Sequence, residues 1–436
     1  MSIFGRQRSI VHILILTDNF PPEVNAPASR TFEHARAWVR AGHRVTVITG
    51  APNFPQGRVY PGYKNRWFYA VRMDGIRVIR VKTFIHANEG FLLRSLDYLS
   101  FMVAAIIGSF AVTRFDVVLA TSPQFFTAVA GWVVGMLRGR PFVFEVRDLW
   151  PASIVAVGAL GGSPLLVWLE RLELLLYRRA RAVVTVTRSF RADLVRRDIP
   201  ATKVTVVTNG ADLTAWSPRP RDQALAHQHG LANALVIGYL GTHGLAHALH
   251  RVLDAAESLR ERTDIRFLLL GDGAVRAELK THAQARGLSN IVFVDPQPKA
   301  VMAAWWSLCD VALIHLKNDP VFATVIPSKL FEAMAMGVPV LYVGPDGEAP
   351  GLVRTIGCGI TVPPEDTAAL VAAIHALSDN PDHRARHAAA GLRGVHAFRR
   401  DVLAAHLLRL LVRVARGACE RSGGHGLQPS ISSGIS

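Results

Sequence analysis

The chain has 436 residues, half of them apolar, which is enough for two to three domains that each bury a core and excludes a disordered or fibrous class. Its formal charge is +16, a bias that points to anionic partners and, taken alone, fits nucleic acid, a membrane surface or a phosphorylated ligand equally. Cys309, Cys358 and Cys419 are widely spaced with no C-x-x-C, which excludes a disulfide scaffold and a cysteine metal cluster and suits a reducing compartment.

The opening MSIFGRQRSIVHILIL has a basic lead, but its apolar run is only about seven residues and ends in polar TDN without a small-residue cleavage site. It is read as a first strand at 12–17, followed by DNFPPEVNAPASR, a helix over 31–41 closed by Gly42, and a second strand at 44–50. This is a β–loop–α–β unit, whose ligands approach at the carboxyl end of the strand. Further strands are expected at 77–82, 115–120, 141–146, 182–187 and 203–207 with helical patterns between them, and Thr208-Asn209-Gly210 is a turn. The β–α repetition predicts a parallel sheet covered on both faces.

After a polar, Pro-containing segment at 217–230 a second series begins, with strands at 234–240, 266–270, 291–294, 310–315, 338–342 and 359–362. The expected organisation is a first domain over 1–215, a second over 216–400, a last amphipathic helix at 401–420 crossing back to the first domain, and a disordered Gly/Ser tail at 421–436. No short-period repeat is present.

Charge is uneven. Residues 1–215 hold 27 Lys and Arg against 14 Asp and Glu, whereas residues 216–436 hold 22 against 19. The densest block, 58–82, sets seven cations and one acid among Tyr60, Tyr63, Trp67, Phe68 and Tyr69. Aromatics among cations suit either nucleic acid or membrane headgroups. The charge-free windows at 98–113, 117–137 and 149–169 are short or broken by turn residues, so none reads as a transmembrane helix. The segment 91–110, with Arg94 and Asp97 beside a large apolar face, is either an interfacial helix or a helix of the core.

The stretch with the clearest chemistry is IPSKLFEAMAMGVPV at 326–340, a loop, a short helix and a buried strand. Ser328 is placed as N-cap and Gly337 at the helix end, and Pro339 forbids continuation. A helix start presents unpaired N–H groups and about half a positive charge, which suits a phosphate. Lys329 adds a cation there, and Glu332, one turn deeper, can accept hydrogen bonds from vicinal sugar hydroxyls. On local pattern alone, Glu332 equally serves only to complement the dipole and Lys329 only to face solvent.

Six motifs occur in order at strand ends: NFPPEVNAPASR, VRDLWPAS, TNGAD, GYLGTHG, LLLGDG and IPSKLFEAMAMGVPVL. Together, over about residues 10–415, they resemble family 4 of the retaining glycosyltransferases, of GT-B fold, and within it the membrane-associated branch that extends bacterial surface polysaccharides, including L-fucosamine-type transferases. The resemblance implies two doubly wound, Rossmann-like α/β domains facing a cleft, with the nucleotide-sugar donor held on the second. Glu332 matches the acid that binds the ribose hydroxyls. Ser328 and Lys329 sit where the donor diphosphate meets a helix start. Gly241, Thr242 and His243 match the loop that approaches the phosphates, Gly271, Asp272 and Gly273 form the next such turn, and residues 296–299 lie where the base would be held.

The chain also departs from the family pattern. The first of the family's two glutamates falls at Thr324. The usual Gly-Gly pair after the first strand is Asn25-Ala26, and the Arg and Lys that commonly follow the second domain's first strand are missing from GTHGLAHALH. Where many members carry a histidine, this chain has Arg147-Asp148. Arg147 is read as stabilising diphosphate or acceptor-phosphate charge, or else as part of an Arg147–Asp148–Arg30 structural network. Thr187-Arg188-Ser189 and His243 are further polar candidates in the cleft.

The reading implied is an EC 2.4 transferase that moves a sugar, an N-acetylamino sugar, from a UDP-sugar to a polyprenyl-diphosphate-linked glycan with retention. The resemblance also implies that no divalent metal is needed, helix dipole and cations replacing it, and no Asp-x-Asp stands where a nucleotide-bound metal would be held. The setting implied is the cytoplasmic face of an anionic membrane, with no nucleic acid partner. A sugar-nucleotide 2-epimerase on the same fold and a non-catalytic membrane-binding protein are the alternatives.

Overall fold

The computed structural model describes residues 10–54, 57–85, 91–122, 124–149 and 164–417. The tail at 421–436, Cys419 and residues 150–153 of the VRDLWPAS motif lie outside the described residues. The chain divides into two compact units, Met1–Val207 with Asp401–Ser436, and Thr208–Arg400. The break falls earlier than the sequence suggests because the segment after Val207 packs with the second unit. Ala211 bridges Arg399, and Ala211 and Trp216 are buried in the second unit's core.

The first unit holds an eight-stranded sheet made of β1 (His12–Leu16), β2 (Arg44–Thr49), β3 (Phe68–Met73), β4 (Ile76–Val81), β5 (Val117–Thr121), β6 (Phe142–Val146), β7 (Ala182–Thr185) and β8 (Val204–Val206), in the order β3-β4-β2-β1-β5-β6-β7-β8. Its order reverses between β1 and β5, which makes their carboxyl ends the expected ligand edge. The expectation of a parallel sheet is corrected at one edge, where β3 pairs antiparallel with β4. Asp74-Gly75 joins them with φ of 47° and 81°, the double positive φ of a two-residue hairpin turn. The basic, aromatic block is therefore a hairpin, and one of its cations is internal. Arg80 is buried, donates to the carbonyls of Gly50 and Pro21, and lies 5.0 Å from the Tyr63 ring centroid.

The helix Ala26–Arg40 starts five residues before its expected position, with Asn25 as N-cap accepting from the Ala28 N–H at 2.9 Å. The helix Phe91–Ser109 buries one face and exposes another. Phe101 and Ala105 are fully buried, while Leu96, Leu99, Val103 and Ile107 are exposed, as is Phe110 just beyond the helix. No helix among the described residues is long and apolar enough to cross a membrane. The last helix, Arg400–Ala415, buries Leu403, Ala404, Leu407 and Leu411 in the first unit's core, and Trp38 Nε1 donates to the Ala404 carbonyl at 2.8 Å.

The second unit is a six-stranded parallel sheet of β9 (Leu235–Leu240), β10 (Ile265–Leu270), β11 (Ile291–Val294), β12 (Val311–His315), β13 (Val340–Val343) and β14 (Gly359–Val362), ordered β11-β10-β9-β12-β13-β14. Alternate residues of β9 and β10 enter opposite cores. Val236, Leu240, Leu268 and Leu270 join one, and Ile237, Tyr239, Phe267 and Leu269 join the other. A sheet filled from both faces needs the near-continuous apolar strands seen in the sequence. Its strand order reverses between β9 and β12, so a ligand is expected beyond their carboxyl ends.

Candidate functional site

In the first unit the carboxyl end of β6 carries a buried charge system. Glu145, inside the apolar strand FVFEV, accepts from Arg30 Nε at 3.0 Å and from Arg30 Nη2 at 2.9 Å, and the same Nη2 donates to the Val207 carbonyl at 2.8 Å. Burial pushes the Glu145 carboxyl up, but the Arg30 and Arg147 charges and the hydrogen bonds outweigh it and hold it below the usual carboxylate range. Arg147 is buried, its backbone N–H donates to Ser122 Oγ at 2.7 Å, and its guanidinium reaches the Pro27 carbonyl at 3.3 Å. Asp148 follows, its N–H 3.4 Å from the same Ser122 Oγ and its carboxyl pushed up to about 6 by burial, with Arg147 opposing.

The expected Arg147–Asp148–Arg30 network is thus corrected: the acid that binds Arg30 is Glu145. A lone acid in a buried strand requires a buried cation, and that was a signal available in the sequence. Asn25 is an N-cap and Ala26 the exposed first residue of its helix. Thr187 is likewise a cap, accepting from the Phe190 N–H at 3.1 Å at the start of Arg188–Arg196.

In the second unit the loops after β9 and β10 are layered so closely that side chains are excluded. A Cβ on Gly271 would lie 1.9 Å from the Gly241 carbonyl oxygen, and one on Gly273 would lie 2.4 Å from that of His243. With φ of 144° and 155°, both positions call for glycine. The His243 N–H donates to the Asp272 carbonyl at 2.8 Å, and Asp272 Oδ1 accepts from the Gly273 N–H at 2.8 Å. Across the reversal point, His315 Nδ1 lies 2.8 Å from the His247 carbonyl and His247 Nδ1 lies 3.3 Å from that of His315. Each ring therefore donates to the other's backbone and fixes the loop to the end of β12.

The helix Ser328–Met336 starts beside these loops. Its N-cap is Pro327 with no side-chain cap bond, so Ser328 is the first helical residue and not the expected cap. Gly337 ends it in the left-handed conformation, as expected. Lys329 Nζ is sealed from solvent and has no hydrogen-bond partner among the described residues. It lies 3.6 Å from the Tyr239 ring centroid and 3.0 Å from where a Cβ on Gly241 would be. Burial pushes its amine down to about 7, with Glu332 opposing. His243 is fully buried with both ring nitrogens unpartnered among the described residues, and burial, Lys329 and Arg276 push it down to about 4.

Glu332 is half-buried one turn after Ser328. Thr324 ends a short 3-10 turn and its hydroxyl donates to the Val321 carbonyl at 2.7 Å, leaving it only acceptor capacity. Residues 296–299 run into another such turn at Lys299–Val301. Tyr239, Arg276, His247 and His315 belong to this constellation and were missed as site residues; Tyr239 and His247 stand within quoted stretches but were given no role, and strand position brings Arg276 and His315 to them. No group of three or more His, Cys, Asp or Glu that could hold a metal occurs among the described residues.

The profile of a glycosyl transferase 4-like domain matches residues 25–210, and that of the group 1 glycosyl transferases matches residues 234–380. A protein of Escherichia coli K12 named for colanic acid biosynthesis, the glycosyl transferase WcaI, is 28% identical over 387 residues, 85% of this chain and 93% of its own. A GDP-mannose-dependent alpha-mannosyltransferase of Mycolicibacterium smegmatis is 27% identical, covering 78% of this chain and 81% of its own. Among solved structures, sucrose-phosphate synthase of Thermosynechococcus elongatus superposes with a TM-score of 0.74 at 17% identity, covering 94% of this chain and 100% of its own. The Anabaena protein HepE, in complex with UDP and glucose, gives 0.70 at 18% identity, covering 92% and 99%. With two α/β units of GT-B fold, the first matched by a glycosyl transferase 4-like profile and the second by a group 1 glycosyl transferase profile, this chain is a glycosyltransferase of family 4.

Proposed function

We propose that the chain transfers a sugar, an N-acetylamino sugar, from a UDP-sugar to a polyprenyl-diphosphate-linked glycan with retention, in the synthesis of a surface polysaccharide. The observation that carries this reading is the sealed amine of Lys329, unpartnered beside a helix start and two glycine loops at the strand reversal of the second unit. Such a group fits a diphosphate better than it fits an empty site. In this reading the helix start and Lys329 take the leaving diphosphate, and Gly241, Thr242, His243 and Gly271, Asp272, Gly273 allow it close approach. Glu332 accepts from the ribose hydroxyls. Charge from these groups replaces a divalent metal. Asp148, raised to about 6 by burial beside the Arg147 charge, is taken as a proton-exchanging group of the first unit, and Asn25, Ala26 and Arg30 are assigned to the acceptor side.

The first unit also supplies the surface assigned to an anionic bilayer at the cytoplasmic face. Leu96, Leu99, Val103, Ile107 and Phe110 form an exposed apolar stripe, and Phe84 joins it where its N–H donates to Ser100 Oγ at 2.8 Å. Cations flank it, with Lys82 5.2 Å from the exposed Trp67 ring and Arg138 5.7 Å from the Phe110 ring. Apolar side chains bordered by Lys and Arg match the headgroup boundary of an anionic membrane.

Purified full-length protein should release UDP from UDP-sugars only when a lipid-linked acceptor is present, with the product's anomeric configuration that of the donor and no loss of rate in a chelator. Acceptor-independent isomerisation of the donor would replace transfer by the epimerase reading. Glu332→Ala should cost at least about tenfold in UDP affinity without lowering the melting temperature. An unchanged affinity removes Glu332 from the site. The GDP-mannose-dependent relative supports GDP-mannose as the second donor to test.

A further inference from the structure

Lys329 lies against a residue of the GYLGTHG motif to which the family resemblance assigns no role, Tyr239 near the end of β9. Its ring is fully buried, and its hydroxyl donates to the Thr242 carbonyl at 2.7 Å, which fixes the ring plane against the loop that begins at Gly241. The Lys329 Nζ lies 3.6 Å from the ring centroid, within the range for a cation held on an aromatic face. The amine is also 3.0 Å from where a Cβ on Gly241 would be, so a side chain there would crowd it. The amine thus lies close to both the aromatic ring and the glycine loop.

We propose that Tyr239 is a positioning residue for donor binding, its ring face holding the Lys329 ammonium at the Gly241–His243 loop, where it meets the donor diphosphate. The inference rests on the donor-site reading above. It answers a specific gap in this chain, since the cations that usually follow the first strand of the second domain are absent from GTHGLAHALH. A single lysine must then supply that charge, and a mobile lysine would lose side-chain freedom each time a donor binds. The ring removes much of that freedom beforehand.

The charged and titratable groups around the amine are Glu332 on its own helix, His243 and His247 in the loop after β9, His315 at the end of β12, and Arg276 and Asp272, which act on His243. Of these, only Glu332 favours the charged amine. Burial holds the three histidines neutral, at about 4, about 3 and about 4. The free amine titrates at about 7. A bound diphosphate brings the missing negative charge, so the complex takes up a proton and its affinity falls as pH rises above about 7. A weaker ring contact lowers the pH at which that fall begins.

The test is calorimetric titration of the full-length chain with UDP between pH 5.5 and 9, in buffers of different ionisation enthalpy. Tyr239→Phe keeps the face and should bind within about threefold of the unaltered protein. Progressively fluorinated phenylalanines at 239 keep ring size and drain the electron density of its face, so no cavity is opened. They should leave affinity unchanged at pH 5.5, lower it about tenfold at pH 8 and move the onset of the pH dependence down by about one unit. Unchanged affinity and onset across the fluorinated series overturn the inference. So does tighter binding at pH 5.5, which would mean that the ring competes with the ligand for the ammonium. Lys329→Ala separates the two levels of the argument. If it leaves UDP affinity and proton uptake unaltered, the donor-site reading itself fails; if it lowers both while the fluorinated series has no effect, only the role of Tyr239 fails.

Discussion

Arg30 and Lys329 are both cations withdrawn from water at the ligand edge of a parallel sheet, and their surroundings differ in one respect. Arg30 has a carboxylate at 2.9 Å and a backbone carbonyl at 2.8 Å, whereas the Lys329 amine has an aromatic face at 3.6 Å and no hydrogen-bond acceptor among the described residues. A buried guanidinium with its partners in place is finished; it holds β6, the helix Ala26–Arg40 and the end of the first unit together. A buried amine with none costs free energy in the empty protein, and that cost is relieved by an anionic ligand. On the proposed donor-site reading, the contrast separates a residue that maintains the fold from one kept for a substrate.

Breaking the first of these should have the largest effect. Glu145→Ala leaves Arg30 buried without its carboxylate and should lower unfolding free energy by about 3–5 kcal/mol, measured by urea denaturation. A loss below about 1 kcal/mol would show that water reaches Arg30 and that the pair is not structural.

Lys329→Met should act in the opposite sense, raising stability at pH 7.5 by about 1 kcal/mol while UDP binding is lost. The pH dependence gives a sharper form of the same comparison. The folded amine titrates at about 7, below its unfolded value, so between these two pH values the unfolded chain binds a proton that the folded chain does not. This group therefore makes stability rise with pH over that window, and denaturation curves of Lys329→Met should lose that part of the rise. An identical slope in both proteins would place the Lys329 amine in water.

The smallest effect on stability is expected at the exposed stripe. Leu96→Glu with Ile107→Glu should change unfolding free energy by no more than about 0.5 kcal/mol per site, because neither side chain is in the core. The same pair should abolish flotation with vesicles rich in anionic phosphatidylglycerol, and binding by the unaltered protein should weaken in high salt. Flotation that survives the double substitution would move the membrane surface elsewhere.

Much of the architecture was legible because a parallel sheet buried on both faces needs unbroken apolar strands, and such runs are local. The hairpin at 68–81 was not read, although Asp74-Gly75 is a recognisable turn, because the short exposed strand FYAVRM was taken as part of a basic, aromatic block. Ser328 was displaced from the cap by one residue, since a helix boundary depends on backbone angles that a Pro-Ser sequence does not specify. Glu145 was overlooked because Arg147-Asp148 two residues later gave a more conspicuous pattern.

By itself, then, the sequence determined two α/β units, the order of their strands along the chain apart from the edge strand at 68–73, the glycine turns and, to within one residue, the start of the helix Ser328–Met336, all of which follow from local periodicity and turn chemistry. Tertiary structure alone decided which acid meets Arg30 and that Arg80 lies inside. It also decided that Lys329 rests on Tyr239, 90 positions earlier in the chain. Residues so far apart in sequence are brought into contact by strand order and sheet geometry, and no local pattern encodes that pairing.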